Sequence, residues 1–194
     1  MSLRDLTKEK HTDAERTEFA KILLSGNISK EQYSCYLAQM MAVYGILEHQ
    51  AAKVGLFEGL HGLPRCRAIL DDLDELACGV NYDILPSTRA YVSYLETLDQ
   101  DAEAAKKIMA HLYVRHMGDL FGGQMIAKRV PGSGKFYQFK DSENLKTAIR
   151  SKIDDSMGDE ANVAFEHAIA IMKELNESSL EQVNPDTATL RAEV

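Results

Sequence analysis

Three glycines inside an otherwise helical segment constrain the fold of this chain more than any other feature. Residues 108–129 read IMAHLYVRHMGDLFGGQMIAKR, in which good helix formers flank Gly118, Gly122 and Gly123. Each glycine destabilises a helix interior by about 1 kcal/mol relative to alanine, so the three together cost roughly 3 kcal/mol. Because protein stability is marginal, some other interaction must offset that cost.

The spacing of these residues predicts a bare groove along one helix. Gly118 and Gly122 are four residues apart and share a face, Asp119 and Gly123 lie on nearly the same face, and Arg115 is one turn earlier. A stripe without Cβ atoms lets a flat or bulky group approach the backbone, and a carboxyl at its edge can hold water or exchange protons. A close crossing of two helices remains an equal alternative. A phosphate cradle is disfavoured, because no strand precedes the glycines and no Gly-Lys-Ser/Thr follows them.

Length, charge and cysteine content favour a single domain with reduced thiols. The chain has 194 residues, enough for one domain with a full core. Its net charge of −8 disfavours nucleic-acid binding as the main function. No apolar run approaches membrane-spanning length, and the N-terminus is too polar for a signal peptide. Cys35, Cys66 and Cys78 are odd in number and lack C-x-x-C spacing, which argues against a zinc site.

Apolar periodicity and capping residues predict an all-α protein of seven or eight helices. Residues 3–25 are predicted to be helical with a break near the middle, closed by Gly26. Ser29 and Gln32 form a capping box that opens the clearest helix, which ends near Gly55.

Prolines and polar caps delimit the other predicted helices. Pro64 and Cys78-Gly79 bound one helix, Pro86 starts the next, and residues 101–129 form a long central helix. A helix from Asp141 or Ser142 to about Met157 follows, and Asp159 caps a last helix whose apolar stripe ends at Leu175. The predicted organisation is one helical domain over residues 1–176 and a polar tail over 177–194.

Two segments resemble motifs of the heme oxygenase family. Residues 113–124, YVRHMGDLFGGQ, resemble the distal-helix motif, an aromatic residue and an arginine followed by G-D-L-S-G-G-Q, with Phe121 where serine is usual. Residues 8–15, KEKHTDAE, resemble the segment that carries the proximal histidine. The resemblance extends from about Leu3 to Leu175 and implies the heme oxygenase-like multi-helix fold, with heme between a proximal helix and a glycine-kinked distal helix.

The resemblance also implies roles for single residues. His11, which spacing alone would make a solvated side chain, becomes the axial iron ligand. Asp119 delivers protons through water, and Tyr44, an ordinary core tyrosine by spacing alone, joins the same water network. The implied catalytic set is completed by Gly118, Gly122 and Arg115. The implied heme contacts are Arg4, Glu15, Tyr113, Gly123, Lys146, Arg150 and Phe165.

Lys146 and Arg150 are four residues apart, which by itself favours a solvated basic face. In the family, a lysine and an arginine at this spacing reach a heme propionate, and Arg4 matches a further propionate contact. With these anchors, opening at the α-meso carbon is expected. We expect Phe121 to pack away from the heme.

The function implied by the resemblance is that of a heme oxygenase. Heme, as both substrate and cofactor, would be opened with dioxygen and electrons to biliverdin, carbon monoxide and ferrous iron. The expected partners are a soluble electron donor such as reduced ferredoxin and a downstream bilin reductase. We expect a soluble monomer without a membrane anchor, in the cytoplasm of a bacterium or phage-infected cell, or in the plastid stroma if a transit peptide has been removed.

Two other functional classes remain open from the residues. The first is a heme carrier or sensor that keeps the pocket without turnover, which the intact Asp119 and its flanking glycines disfavour. The second is a helical enzyme without heme, such as a thiaminase-like bundle, which the pairing of His11 with the glycine motif disfavours.

Overall fold

The computed structural model describes residues 2–78, 82–98 and 103–183. Within these ranges the chain forms nine α-helices and two short 3₁₀ helices, without a strand, so the predicted all-α class is confirmed. The α-helices are α1 (Leu3–Leu6), α2 (Lys8–Glu15), α3 (Glu18–Ser25), α4 (Lys30–Lys53), α5 (Cys66–Leu76), α6 (Pro86–Thr97), α7 (Ala104–Ile126), α8 (Ser142–Arg150) and α9 (Gly158–Val183). The 3₁₀ helices are Lys135–Tyr137 and Asp155–Met157.

The N-terminal segment divides into three helices because threonines interrupt it twice. Thr7 separates α1 from α2 and turns its hydroxyl back to the Leu3 carbonyl, 3.0 Å away. Thr17 is the N-cap of α3, and its side chain accepts the Ala20 N–H. Gly26, with φ of 80°, ends α3 in the left-handed conformation. The predicted break and the predicted stop are both confirmed.

Local capping also places the ends of the next helices. The Ser29–Gln32 capping box opens α4, and Gly55, with φ of 72°, lies just beyond its end. Pro86 occupies the first turn of α6, as predicted. The α5 helix starts at Cys66, two residues after Pro64, and is followed by Ala77 in the left-handed region. Gly79, which was predicted to end it, lies outside the described residues.

Several predicted boundaries differ from the structure. The α7 helix ends at Ile126 rather than at residue 129. The helix predicted to run to Met157 ends at Arg150, because the Asp154 side chain caps a separate 3₁₀ turn by accepting the Ser156 N–H. The last helix starts at Gly158, and a Cβ there would lie 2.8 Å from a Leu6 methyl carbon, so glycine permits the close approach of α9 to α1.

The α9 helix also continues to Val183, past the predicted start of the tail at residue 177. Glutamate, glutamine and leucine are good helix formers, so a polar segment can extend an established helix. Residues 184–194 of the predicted tail lie outside the described part of the chain.

The α9 helix provides a common support for the two helices that carry the sequence motifs. Both α2 and α7 pack against α9, and α7 also packs against α4. Among the described residues, α2 and α7 make no extensive contact with each other. The structure therefore places the motif helices on one support without packing one directly on the other. In the described ranges, none of the helices combines the length and apolar character that a bilayer crossing requires.

Candidate functional site

Gly118 and Gly122 form an open face on α7, which we call the glycine face. The α-helix is continuous through all three glycines. A Cβ built on Gly118 or on Gly122 would have no neighbouring atom of the described chain within 4 Å. A helix crossing at these two positions is therefore excluded within the described residues, and the glycine face is accessible to a ligand.

Gly123 has a different role from the other two glycines. A Cβ on Gly123 would lie 2.8 Å from Cδ1 and 3.0 Å from Cβ of Tyr137. Glycine is required here because the Tyr137 ring packs directly against the helix backbone. The expectation that Gly123 shares the open face with Gly118 and Gly122 is wrong. A Cβ on Gly123 would point at Tyr137, and this direction does not support the predicted contact of Gly123 with heme.

Asp119, Tyr44 and Arg115 meet in the core beside the glycine face. The buried Tyr44 hydroxyl donates a hydrogen bond to Oδ2 of Asp119. The Arg115 guanidinium carbon lies 5.5 Å from the centroid of the Tyr44 ring, and its Nη2 donates to the Met40 sulfur at 2.7 Å. The structure thus brings together three residues that the family resemblance assigned to one site, and it adds Met40 as a partner that spacing did not indicate.

Burial controls the protonation of this group. Burial raises the pKa of Asp119, although the charges of Arg115 and His116 and the Tyr44 hydrogen bond act in the opposite direction. Burial and the neighbouring Asp119 also raise the pKa of Tyr44 well above its usual value, so Tyr44 stays a neutral donor. Within the described residues, the buried Nε of Arg115 has no hydrogen-bond partner. A carboxyl with a raised pKa next to fixed donors is suited to hold and transfer a proton.

Glu48 and His116 form a second buried polar pair behind Tyr44. His116 is fully buried, with Nε2 3.7 Å from Oε1 of Glu48 and its ring centroid 5.1 Å from that of Tyr44. The Glu48 carboxylate also accepts hydrogen bonds from the backbone N–H groups of Arg65 and Cys66. These bonds connect the start of α5 to α4. Sequence analysis did not identify Glu48, although its position four residues after Tyr44, on the same helix face, was an available signal.

His11 is exposed on α2, and the structure gives it two neighbours. Its side chain is 55% exposed, and Nδ1 lies 3.6 Å from Oε2 of Glu15. The ring of Phe165, on α9, meets the His11 ring edge to face at a centroid distance of 5.8 Å. A carboxylate near Nδ1 favours the tautomer whose Nε2 can bind a metal. The predicted residues Glu15 and Phe165 are therefore both adjacent to the predicted ligand His11.

Basic residues from two helices converge near Tyr113. Burial raises the pKa of the Tyr113 hydroxyl, while the Thr7 hydroxyl and the charges of Arg4 and Arg150 act against that rise. Arg4 lies on α1 and Arg150 at the end of α8, so basic residues of two helices act on the Tyr113 hydroxyl. The remaining predicted cation, Lys146, is buried and ion-paired to Glu143 at 2.7 Å. We call Arg4, Lys146 and Arg150 the rim cations.

Phe121 is not packed in the core, and the expectation that it packs away from the heme stays a prediction. Its side chain is 55% exposed. The Lys146 ammonium lies 4.4 Å from the Phe121 ring centroid, and the Arg150 guanidinium carbon lies 5.5 Å from it. Phe121 is three residues after Gly118, so it borders the glycine face on the side where α8 packs.

The chain is similar to known proteins over almost its whole length. A family model described as Heme oxygenase matches residues 1–174. The heme oxygenase of Pyropia yezoensis is 30% identical over 209 residues, covering 92% of this chain and 86% of that protein. Heme oxygenase 2 of Macaca fascicularis is 29% identical, covering 91% of this chain and 65% of that protein. The crystal structure of heme oxygenase-1 from the cyanobacterium Synechocystis in complex with heme matches with a TM-score of 0.80 at 26% identity, over 96% of both chains.

Proposed function

The chain belongs to the heme oxygenase family and is an enzyme that degrades heme to biliverdin, and from this premise we propose which residues bind heme, which move protons and which protein supplies electrons. Heme supplies the iron that activates dioxygen and the meso carbon at which the ring is opened. The observation that carries the assignment of residues is the open glycine face beside the buried Asp119–Tyr44 hydrogen bond.

The heme is proposed to lie between His11 and the glycine face. A flat macrocycle fits a helix face on which Gly118 and Gly122 lack Cβ atoms and have no protein neighbour. His11, exposed on a separate helix supported by the same α9, would bind the iron through Nε2. Glu15 would act through His11 by fixing its tautomer, and Phe165 would hold the imidazole ring from α9.

Asp119 is proposed to hold and transfer protons during the reaction. Its carboxyl is buried with a raised pKa, so it can take up and release a proton closer to neutral pH than an exposed aspartate can. Tyr44 fixes one carboxyl oxygen by donating to it. Arg115, whose Nε lacks a partner among the described residues, can donate to water that connects Asp119 with the glycine face.

The rim cations are proposed to bind the two heme propionates. Lysine and arginine at a pocket rim pair with carboxylates, and a guanidinium can do so with two parallel hydrogen bonds. The charges of Arg4 and Arg150 both act to lower the pKa of Tyr113, which supports assigning these two residues to the same propionate-binding region. Anchoring there would set the rotation of the heme in its plane and lead to opening at the α-meso carbon.

The test of this function is to mix the protein with hemin and a reductant in air while following the Soret band. Loss of the band together with growth of a bilin absorbance is the expected result. A stable Soret band would indicate a heme carrier or sensor instead, and no change on adding hemin would exclude both.

Substitutions of the glycines are predicted to change hemin affinity and the stability of the fold in opposite directions. Gly118→Ala and Gly122→Ala should each raise the free energy of unfolding of the ligand-free protein by up to about 1 kcal/mol, because alanine favours the helix and meets no neighbour. Both should weaken hemin binding, measured by Soret titration.

Gly123→Ala is the matched control, because its Cβ would collide with Tyr137. It should lower the free energy of unfolding by about 1–3 kcal/mol in urea titrations. Unchanged hemin affinity in both Gly118→Ala and Gly122→Ala would contradict the placement of the heme on the glycine face.

Reduced ferredoxin is proposed as the electron donor, and basic residues near the end of α7 as its docking surface. The candidates are Lys128, Arg129, Lys135 and Lys140, of which Lys128, Arg129 and Lys140 are exposed. Lys135 is ion-paired to Glu75 at 3.4 Å, and Arg129 donates to the Leu24 carbonyl. We further propose that a bilin reductase takes up the product. The heme oxygenase itself is proposed to be a monomer in the cytoplasm or in a plastid.

Turnover with ferredoxin should fall steeply as salt is added, because exposed charges are screened beyond a Debye length of about 8–10 Å at physiological ionic strength. The double change Lys128→Ala and Lys140→Ala should raise the KM for ferredoxin. The rate with a small neutral reductant serves as the control and should respond little to either. A ferredoxin-dependent rate that is independent of salt would count against this surface.

A further inference from the structure

Phe121 is an exposed aromatic residue that borders the glycine face, and two cations lie over its ring. The Lys146 ammonium is 4.4 Å and the Arg150 guanidinium carbon 5.5 Å from the ring centroid. A cation within about 6 Å of an aromatic centroid is attracted by the negative face of the ring. Phe121 therefore interacts with two of the three rim cations, both from α8.

Lys146 is held unusually firmly for a lysine. Its side chain is only 9% exposed, whereas that of its partner Glu143 is 81% exposed. A lysine is rarely buried to this extent without a specific partner. Lys146 contacts both the Phe121 ring and the Glu143 carboxylate, so its ammonium is positioned before any ligand arrives.

The contact with Phe121 leaves the cations able to bind a carboxylate. An ammonium has three N–H donors, of which Glu143 uses one at 2.7 Å. A guanidinium that lies against an aromatic ring keeps the five N–H donors at its edge. Because Arg150 is exposed, these donors are accessible from solvent. The ring can thus fix where the cations stand without occupying their hydrogen-bonding groups.

We propose that Phe121 is a positioning residue that sets the regiochemistry of heme opening, by holding Lys146 and Arg150 beside the glycine face where the propionates bind. The inference rests on the proposed placement of heme and deepens it. A propionate anchor that moved would let the heme occupy a second rotation in its plane, and a different meso carbon would then face the reactive side. Phe121 acts through the two cations and does not itself take part in the chemistry.

The experiment compares Phe121→Leu, which keeps apolar bulk but removes the ring, with Phe121→Tyr, which keeps the ring. Met125→Leu is the matched control, because Met125 is also 55% exposed on the same helix. Three quantities are measured for each variant: the dissociation constant for hemin, the heme-methyl proton NMR spectrum of the ferric complex, and the ratio of biliverdin isomers by chromatography. Each in-plane rotation of the heme gives its own set of methyl resonances.

Phe121→Leu should raise the dissociation constant about five- to thirtyfold, the combined factor that corresponds to two cation–π contacts. It should also add a second set of methyl resonances and a second biliverdin isomer. Phe121→Tyr and Met125→Leu should keep one set and one isomer. In a Lys146→Ala, Arg150→Ala background, the further change Phe121→Leu should have no additional effect on the isomer ratio.

One rotation and one isomer in Phe121→Leu would overturn the proposal, as would an equal effect of Phe121→Leu in the background without the cations. These outcomes are distinct from a failure of the proposed function. If the unaltered protein showed no hemin binding, the placement of heme and this inference would both be wrong.

Discussion

Asp119→Ala is expected to keep hemin binding and to lower the yield of biliverdin by about 100-fold or more, the range typical for loss of a general acid–base group. Binding should persist because the proposed iron ligand, His11, is on a different helix. The yield should fall because the carboxyl is the buried acid nearest the glycine face, and its pKa is raised by burial. Hemin titration and chromatography of the bilin product measure the two effects separately.

Two matched variants distinguish the effect of losing proton exchange at Asp119 from the effect of losing its packing. Asp119→Asn keeps the shape of the side chain but cannot exchange a proton, so its yield should be as low as that of Asp119→Ala. Tyr44→Phe removes the hydroxyl that donates to Asp119 but leaves the carboxyl in place, so its yield should fall less. Undiminished biliverdin formation in Asp119→Ala would remove this residue from the mechanism.

The stability of the unaltered protein should depend on pH in a defined direction. Because the pKa of Asp119 is raised in the folded protein, the fold binds this proton more tightly than the unfolded chain does. Its contribution to the free energy of unfolding is complete below the ordinary aspartate pKa and is lost as the pH rises through the raised value. Asp119→Asn should lack this loss, which urea titrations at several pH values can detect.

Features that depend on neighbouring residues in the sequence were predictable, and features that depend on tertiary contacts were not. The capping box at Ser29 and the left-handed stop at Gly26 are local, so spacing identified both. The break after Arg150 is also local, but Asp154 and Ser156 compete with a continuing helix and the apolar pattern does not show which prevails.

In the candidate site, too, local features were predictable from the sequence and features that depend on tertiary contacts were not. Gly118 and Gly123 are glycines of the same helix, and the sequence does not distinguish their environments. The position of Tyr137 shows that Gly123 is packed, whereas Gly118 is open. The motif identified Asp119 and Arg115, but the ring of Phe121 meets Lys146, 25 positions away in the chain, across a contact between α7 and α8 that periodicity cannot reveal.

His11→Ala is expected to abolish the spectrum of histidine-ligated heme while leaving the ligand-free fold intact. The side chain is 55% exposed, its helix α2 has no fully buried residue, and alanine is the best helix former, so the free energy of unfolding should change little. Added imidazole should restore the ligated spectrum, because it can occupy the space that the side chain leaves. Absorbance and electron paramagnetic resonance spectra of the ferric complex provide the measurement.

The other histidines provide the control for this assignment. They are His49, His61, His111, His116 and His167. His116 is the most informative because it lies one turn before Asp119 on α7, yet it is fully buried against Glu48. His116→Ala should lower the free energy of unfolding by leaving a cavity and an unpaired carboxylate, and should keep the histidine-ligated spectrum. If His116→Ala removed that spectrum and His11→Ala did not, the iron ligand would be on the distal helix, and the heme could not lie between α2 and the glycine face.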